Sequence, residues 1–154
     1  MMTAVADPTE VYQRHADELV RYATALVGPD DAPDVMIDAV MQAFRSPGWP
    51  QVTNQRAYLY RAVLNRAHSV RRSDARRHLR EVRSAPGVVA DPAGVSVDAQ
   101  RALSGLSAQQ RAVVYLTYWD DLTPAQVAGL LGVTEGSVRK QLARAREQLR
   151  RTLQ

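Results

Sequence analysis

The sequence contains no cysteine, one phenylalanine and three histidines among its 154 residues. Without cysteine the chain has no disulfide, cysteine zinc site or thiol nucleophile, which fits a reducing cytoplasm. No run approaches the roughly 18 apolar residues of a membrane span. The N-terminal stretch MMTAVADPTE lacks the basic and apolar regions of a secretory signal. We therefore expect a cytoplasmic protein that does not bind a membrane.

Motifs for catalysis and cofactor binding are also missing. His15, His68 and His78 are not spaced as metal ligands, and no glycine-rich loop is present to hold a phosphate. No potential nucleophile has an evident base partner. We therefore predict that the protein is not an enzyme and binds neither a metal nor a cofactor.

Arginine is abundant, and most of it lies in two blocks. Residues 61–83 contain eight basic and two acidic residues, and residues 136–154 contain six basic residues and one acidic residue. The segments before each block are net acidic, although the whole chain has a formal charge of +4. Two separated basic blocks suit two contacts with a polyanion such as nucleic acid, but solvated arginine-rich helix faces give the same pattern.

Helical periodicity runs through most of the chain and no stretch alternates as a strand, so the predicted class is all-α. Residues 84–99 contain two prolines, two glycines and few large apolar residues, which is typical of a flexible linker. The sequence therefore predicts two small helical domains, residues 8–83 and 98–154, joined by this linker.

The second predicted helix of the first domain has an apolar flank. Ile37, Met41 and Phe44 form this flank beside an acidic edge of Asp34 and Asp38. The flank suits either packing on a neighbouring helix or docking of another protein. The inward face of the same helix is predicted to consist of Met36, Val40 and Ala43.

The third predicted helix, residues 55–72, carries a polar stripe. Its inward side is predicted to contain Leu59, Val63 and Val70. The opposite side, at helical spacing, carries Tyr58, Arg61, Asn65, His68 and Arg72. Guanidinium groups that follow phosphates, with rings and amides that meet unstacked bases, suit single-stranded nucleic acid.

The second domain contains the pattern of a helix-turn-helix. Thr123, followed by Pro124 and Gln126, predicts a capping box at the start of a helix. Gly132 is predicted to end this helix in a left-handed conformation, and Thr134 to cap the next one. Two helices joined by so short a turn are typical of DNA-binding domains.

The second helix of this motif, residues 135–149, is predicted to be buried on one side and basic on the other. The buried seam consists of Val138, Leu142, Ala145 and Leu149. Small residues such as Ser137 allow the helix start to approach a DNA groove. Lys140 and Arg144 are predicted to reach guanine edges, and Arg139 and Arg146 to contact phosphates. A basic, solvent-facing helix in a three-helix bundle is the alternative.

In these residues the chain resembles bacterial sigma factors of the extracytoplasmic-function group, over nearly its whole length. ALSGLSAQQRAVVYLTYWDDLTPAQVAGLLGVTEGSVRKQLARAREQLR is similar to that group's domain for the minus-35 promoter element. VYQRHADELVRYATALVGPDDAPDVMIDAVMQAFRS and RAYLYRAVLNRAHSVRRSDARR are similar to the domain that docks on core RNA polymerase and opens the minus-10 element. The chain departs from the group at three positions: Ile37, Tyr58 and Ser69 stand where the group frequently has Gln, Trp and Asp, respectively.

The resemblance implies a sigma factor that directs core RNA polymerase to specific promoters. Residues 8–83 then correspond to sigma region 2 and residues 98–154 to sigma region 4. The implied contacts with core polymerase are Asp34, Ile37, Asp38 and Met41. Those with the minus-10 strand are Tyr58, Arg61, Asn65, His68 and Arg72, and those with the minus-35 duplex are Ser137, Arg139, Lys140, Arg144 and Arg146.

The expected partners are core RNA polymerase and promoter DNA. Many members of the group are held inactive by an anti-sigma factor, which is the third partner that the resemblance suggests. We expect the free protein to be a monomer. The alternative is a free-standing helix-turn-helix regulator, which would dimerise to span two half-sites and would need no second basic helix.

Overall fold

The structure, a computed structural model, describes residues 7–80 and 102–152. Six α-helices account for most of these residues, and no strand occurs among them, which confirms the all-α prediction. The helices are α1 (Pro8–Val27), α2 (Ala32–Arg45), α3 (Gln55–Arg80), α4 (Ala108–Tyr118), α5 (Pro124–Leu131) and α6 (Glu135–Thr152). The predicted linker, 84–99, and both predicted domain boundaries beside it lie outside the described residues.

Helices α1, α2 and α3 form the first unit, and local sequence sets their ends. Before α1, Oδ1 of Asp7 accepts a hydrogen bond of 3.2 Å from the Thr9 N–H, and α1 ends at Gly28 with a φ of +88°. At the start of α3, Oδ1 of Asn54 accepts a bond of 3.0 Å from the Ala57 N–H. Helix α3 continues past the predicted end at residue 72, because residues 73–80 contain neither proline nor glycine.

The first unit buries the residues that were predicted to face inward on α2 and on most of α3. These buried residues are Met36, Val40, Ala43, Leu59 and Val63. Val70, also predicted to face inward, is only half-buried. Burial of a valine or leucine side chain contributes about 1.5–3 kcal/mol, so this cluster fixes which faces of α2 and α3 remain exposed.

Helices α4, α5 and α6 form the second unit, and two of them begin with a capping box. Oγ1 of Thr123 accepts a bond of 3.2 Å from the Gln126 N–H, and the Gln126 side chain accepts one of 2.9 Å from the Thr123 N–H. This box was predicted. An equivalent box joins Ser107 and Gln110 and starts α4, and the same spacing of serine and glutamine was visible in the sequence.

The two units pack against each other, with α1 and α3 on one side and α4 and α5 on the other. Their apolar residues form one continuous core. At the contact the rings of Tyr22 and Tyr60 have centroids 4.5 Å apart, and the ring of Tyr115 from the second unit lies 6.2 Å from that of Tyr22. Helix α3 is therefore covered on two sides, which is why Tyr60 and Leu64 are buried beyond its predicted inward face.

Candidate nucleic-acid interface

Helices α5 and α6 form the predicted helix-turn-helix. Gly132 ends α5 with a left-handed φ of +71°, and its N–H donates a bond of 2.9 Å to the backbone oxygen of Ala128. Oγ1 of Thr134 accepts a bond of 3.0 Å from the Ser137 N–H and so caps α6. Both features were predicted. The turn is fixed by backbone and capping bonds, which hold α6 in one direction.

Helix α6 turns an apolar seam towards the core and a basic face towards solvent. Val138, Leu142 and Ala145 are buried, as predicted, and Leu149 is half-buried. The residues predicted to contact the minus-35 duplex lie away from this seam. Of these, Ser137 is half-buried and the others are exposed: Arg139, Lys140, Arg144 and Arg146.

The basic residues of α6 differ in their partners. Arg139 forms an ion pair of 2.7 Å within the helix, and Nε of Arg146 donates a bond of 2.8 Å to the hydroxyl of Tyr118. Lys140 and Arg144 form no ion pair with any residue in the described part of the chain. These two cations are therefore available to a ligand, and lysine and arginine are the residues that most often bind O6 and N7 of guanine in the major groove.

The predicted polar stripe on α3 borders a groove of about 590 Å³ between α2 and α3. Tyr58, Arg61 and Asn65 line this groove together with Arg66. The ring of Tyr58 is half-buried, with its centroid 5.6 Å from that of Trp49 in an edge-to-face arrangement. Guanidinium, amide and ring are thus brought together, and they can hold a phosphate and an unstacked base side by side.

The remaining residues of the stripe have different environments. Arg61 is exposed, but its Nη2 donates a bond of 3.1 Å to the backbone oxygen of Gly129 in α5. Burial, with the charges of Arg72 and Arg71, lowers the pKa of His68, so the ring is uncharged at neutral pH. Arg72 is exposed. The positive charge of the stripe therefore comes from its arginines.

The four residues predicted to contact polymerase, Asp34, Ile37, Asp38 and Met41, are all exposed on α2. Ile37 and Met41, 46% and 45% exposed, line an apolar groove of about 450 Å³ between α2 and the start of α1. Oδ2 of Asp38 accepts a bond of 3.2 Å from Nη2 of Arg66. Packing within the first unit leaves much of the apolar flank uncovered, so the flank is open to docking.

Two residues that the sequence analysis did not single out contribute to these surfaces. Arg66 lines the groove beside Asn65 and pairs with Asp38, and it belongs to the basic block 61–83. Tyr118 holds Arg146, whose guanidinium carbon lies 6.0 Å from the centre of the Tyr118 ring. Position within the basic block marks Arg66 in the sequence, whereas the role of Tyr118 depends on a tertiary contact.

Residues 7–80 and 102–152 contain neither a metal site nor a membrane helix. No three histidine, aspartate or glutamate side chains converge there as metal ligands. No helix in these ranges is both long and apolar enough to span a bilayer.

The fold and the basic face of α6 define a helix-turn-helix DNA-binding protein, and comparisons with known proteins identify the family. Residues 96–149 match the family described as Sigma-70, region 4. The chain is 33% identical over 154 residues to the ECF RNA polymerase sigma factor SigL of Mycobacterium tuberculosis, an alignment that covers 94% of this chain and 87% of SigL. It is 31% identical to the RNA polymerase sigma-E factor of Streptomyces avermitilis, an alignment that covers 94% of this chain and 84% of that factor. The chain therefore belongs to the extracytoplasmic-function (ECF) RNA polymerase sigma factors.

Two solved structures have a similar fold. The sigma factor RpoE of Bartonella quintana, in complex with the anti-sigma factor NepR, has a TM-score of 0.69 at 24% identity, with 94% of this chain and 95% of that chain covered. CnrH, in complex with the cytosolic domain of CnrY, has a TM-score of 0.63 at 23% identity, with 95% of this chain and 86% of that chain covered. These two likenesses concern the fold alone.

Proposed function

We propose that this sigma factor reads the minus-35 promoter element with α6. The observation that carries the proposal is the exposure of Lys140 and Arg144, without ion pairs in the described part of the chain, on a helix fixed by a capped turn. Either side chain can bind guanine edges in the major groove. Arg139 and Arg146, which have weak surface partners, exchange these for phosphates of the duplex.

The start of α6 supports the same assignment. Ser137 is small, so the backbone of this first turn can approach a DNA groove closely. The positive end of the helix dipole lies here as well, and it favours a phosphate. On this proposal the second unit, with the predicted boundaries 98–154, is sigma region 4.

We propose that α3 holds the melted minus-10 strand, within a first domain that spans residues 8–83. Asn65 and Tyr58 can meet an unstacked base in the groove between α2 and α3, while Arg61 and Arg72 bind the phosphates. His68, uncharged at neutral pH, contributes hydrogen bonding and stacking rather than charge. Binding only the separated strand favours the open promoter, because it shifts the opening equilibrium towards the single-stranded form.

The proposed contact with core polymerase is the exposed face of α2. Ile37 and Met41 offer apolar area beside a groove, and Asp34 and Asp38 add an acidic edge. This combination suits a partner surface with an apolar centre and a basic rim.

The proposed partners are core RNA polymerase, promoter DNA and an anti-sigma factor. The two solved structures of similar fold contain the anti-sigma factor NepR and the cytosolic domain of CnrY, which supports the third of these proposed partners. We propose further that the chain acts in the cytoplasm, is monomeric when free, and catalyses no reaction of its own.

Transcription by core polymerase from a library of genomic fragments, with and without the chain, tests the proposed function. We expect transcripts from specific fragments only when the chain is present. Gel filtration should give a monomer that binds those fragments poorly without core polymerase. A dimer that binds tightly alone, and adds no transcription start, would indicate the free-standing regulator and contradict the proposal.

A further inference from the structure

The two flanking arginines of α6 have partners of different chemistry. Nη2 of Arg139 donates a bond of 2.7 Å to a carboxylate oxygen of Glu135. Nε of Arg146 donates one of 2.8 Å to the neutral hydroxyl of Tyr118. A carboxylate repels a phosphate that approaches its partner, whereas a hydroxyl can accept from an arginine and also donate to a phosphate. The surroundings of Arg146 therefore suit a phosphate better than those of Arg139.

The hydroxyl of Tyr118 has an unused donor. It accepts the bond from Arg146 but donates none to another residue in the described part of the chain. The side chain is 48% exposed, so a ligand can reach the O–H group. A bond between two exposed side chains contributes little to stability, because water replaces it in the unfolded chain. Stability alone therefore does not account for this pair.

The end of α4 holds Tyr118 in place beside α6. Tyr118 is the last residue of α4, and the next N–H, that of Trp119, donates a bond of 2.9 Å to the backbone oxygen of Tyr115. The Trp119 ring is stacked on that of Tyr115, with the two ring planes 17° apart, and Tyr115 is buried. These contacts fix the backbone at Tyr118. A donor that is already fixed loses little conformational entropy when it binds a ligand.

The nearby acidic side chains are engaged elsewhere. Glu147 is the only acidic residue between positions 136 and 154, and it pairs with the two arginines of the last turn of α6, at 3.6 Å each. Asp120, which follows α4, interacts electrostatically with Arg21 and Arg56 of the first unit. No carboxylate of the described residues forms an ion pair with Arg146. A phosphate at Arg146 therefore displaces only a neutral group.

We propose that the Tyr118 hydroxyl donates a hydrogen bond to the same phosphate of the minus-35 duplex that Arg146 binds. The two groups touch before DNA arrives, so a phosphate oxygen at the guanidinium lies within reach of the hydroxyl. When Arg146 exchanges the hydroxyl for the phosphate, the hydroxyl regains a partner there. This proposal rests on the proposed role of α6 and adds a contact from α4, outside the helix-turn-helix. Because phosphate contacts orient a protein on the duplex, this contact helps to set the angle of α6 in the groove.

Tyr118→Phe removes the hydroxyl and keeps the ring. The probe is a duplex fragment of a promoter that the chain and core polymerase transcribe, and it is bound to the complex of the two. We expect binding about threefold to tenfold weaker than that of the wild type, with an unchanged dependence on salt, because a hydroxyl releases no counterion. Arg146→Met should instead reduce the slope of log affinity against log salt concentration by about 1. Undiminished affinity of Tyr118→Phe, or a slope reduced as in Arg146→Met, overturns the proposal.

A single uncharged methylphosphonate group, moved along each strand of the minus-35 duplex, identifies the phosphate. At the position that both side chains bind, this group should weaken binding by the wild type and largely abolish the defects of Tyr118→Phe and Arg146→Met. Arg139→Met is the control, because Arg139 lies about 10 Å earlier along the helix axis and should bind a different phosphate. If the defects of Tyr118→Phe and Arg146→Met disappear at different positions, or that of Tyr118→Phe at none, the shared phosphate is contradicted.

The double variant distinguishes a direct contact from a role that acts only through Arg146. If the hydroxyl does no more than hold Arg146, Tyr118→Phe has no effect once Arg146 is replaced by Met. A direct bond to the phosphate predicts that Tyr118→Phe weakens binding by the Arg146→Met protein further, by about threefold. No further loss in the double variant overturns the proposal.

Lys140→Ala and Arg144→Ala separate this proposal from the proposed function. If both variants bind the promoter fragment as well as the wild type does, the assignment of α6 to the minus-35 element fails, and the contact at Tyr118 fails with it. If they weaken binding but Tyr118→Phe does not, only the contact at Tyr118 fails.

Discussion

Nη1 of Arg111, in α4, donates a hydrogen bond of 3.0 Å to the backbone oxygen of Leu26, the penultimate residue of α1. Its Nε donates a longer bond of 3.3 Å to the backbone oxygen of Leu106. Burial, with a smaller effect from Arg71, lowers the pKa of Arg111 to about 10, so the group stays charged at neutral pH. The last four carbonyls of a helix lack partners inside it. Arg111, which belongs to the second unit, therefore provides a hydrogen-bond donor for a carbonyl at the end of α1 that has no partner within the helix.

Replacement of Arg111 by Met should lower the free energy of unfolding by about 1–3 kcal/mol, because the carbonyl of Leu26 loses its charged donor. The carbonyl of Leu106 keeps a bond of 2.7 Å from Nη1 of Arg71. Arg111→Lys should be intermediate, since an ammonium group cannot reach both carbonyls as the guanidinium fork does. Urea unfolding followed by circular dichroism measures both changes. Equal stability of the three proteins would show that these bonds do not stabilise the fold.

Asp121 is the one non-glycine residue with a positive φ, +55°, in the described ranges 7–80 and 102–152. A left-handed conformation costs a residue with a Cβ about 1–2 kcal/mol, less for aspartate, and glycine avoids this cost. Glycine also gains entropy in the unfolded chain. We expect Asp121→Gly to raise the free energy of unfolding by about 0.5 kcal/mol and Asp121→Ala to lower it. Urea unfolding should give changes in the free energy of unfolding that have opposite signs in the two variants. Changes of the same sign would contradict the strain argument.

The helix-turn-helix was predictable down to single bonds because its information is local. Thr123, Gly132 and Thr134 each act on a backbone group within four residues. The capping residues are interpretable without knowledge of what the helices pack against. The exposed side of α6 followed in the same way from the helical spacing of Val138 and Leu142.

The contact between the units was not predictable from these patterns. Helical spacing identifies an apolar face but does not say which helix covers it, so α3 was assigned one buried face and has two. Tyr60 and Leu64 lie outside the predicted face, and both are buried. The bond from Arg61 to Gly129 joins residues 68 positions apart, and it depends on how the units pack.

The lowered pKa of His68 predicts a stability that falls with acid. The unfolded chain takes up a proton at an ordinary histidine pKa near about 6.5, while the folded chain resists it until a lower pH. Below about pH 6.5 the unfolded state therefore binds more protons, and the free energy of unfolding falls as the pH is lowered. His68→Gln removes this contribution. Urea unfolding at several pH values should show that the free energy of unfolding depends less steeply on pH in the variant than in the wild type. An equal pH dependence of the two proteins would contradict the lowered pKa of His68.

Asp38→Arg should weaken capture of the chain by core RNA polymerase without unfolding it. The change reverses the charge at position 38 and so cancels the net negative charge of the acidic edge next to Ile37. The ion pair that it breaks is largely exposed and contributes less than about 1 kcal/mol. Arg66→Ala breaks the same ion pair but leaves Asp38 in place, so it is the matched control. Pull-down titrations with core polymerase should show weaker binding by Asp38→Arg than by Arg66→Ala. Unchanged affinity of Asp38→Arg would exclude this face of α2 as the docking site.

The two DNA surfaces should fail in different ways, because one is proposed to bind closed duplex and the other a separated strand. Loss of a bidentate base contact in Lys140→Ala or Arg144→Ala should cost about 1–3 kcal/mol of promoter binding, whether or not the minus-10 region is melted. Part of the function of Arg61 and Asn65 is to shift the opening equilibrium. A template whose minus-10 region is already open does not need this shift, so it should partly compensate for the loss of Arg61 or Asn65.

Transcription by core polymerase from a matched pair of templates, one duplex and one with a mismatch bubble at the minus-10 element, tests this division most directly. The bubble should partly restore transcription by Arg61→Ala and Asn65→Ala, and should leave Lys140→Ala and Arg144→Ala as defective as on duplex. If the bubble restored all four variants equally, the assignment of α6 to duplex DNA and of α3 to the melted strand would be contradicted.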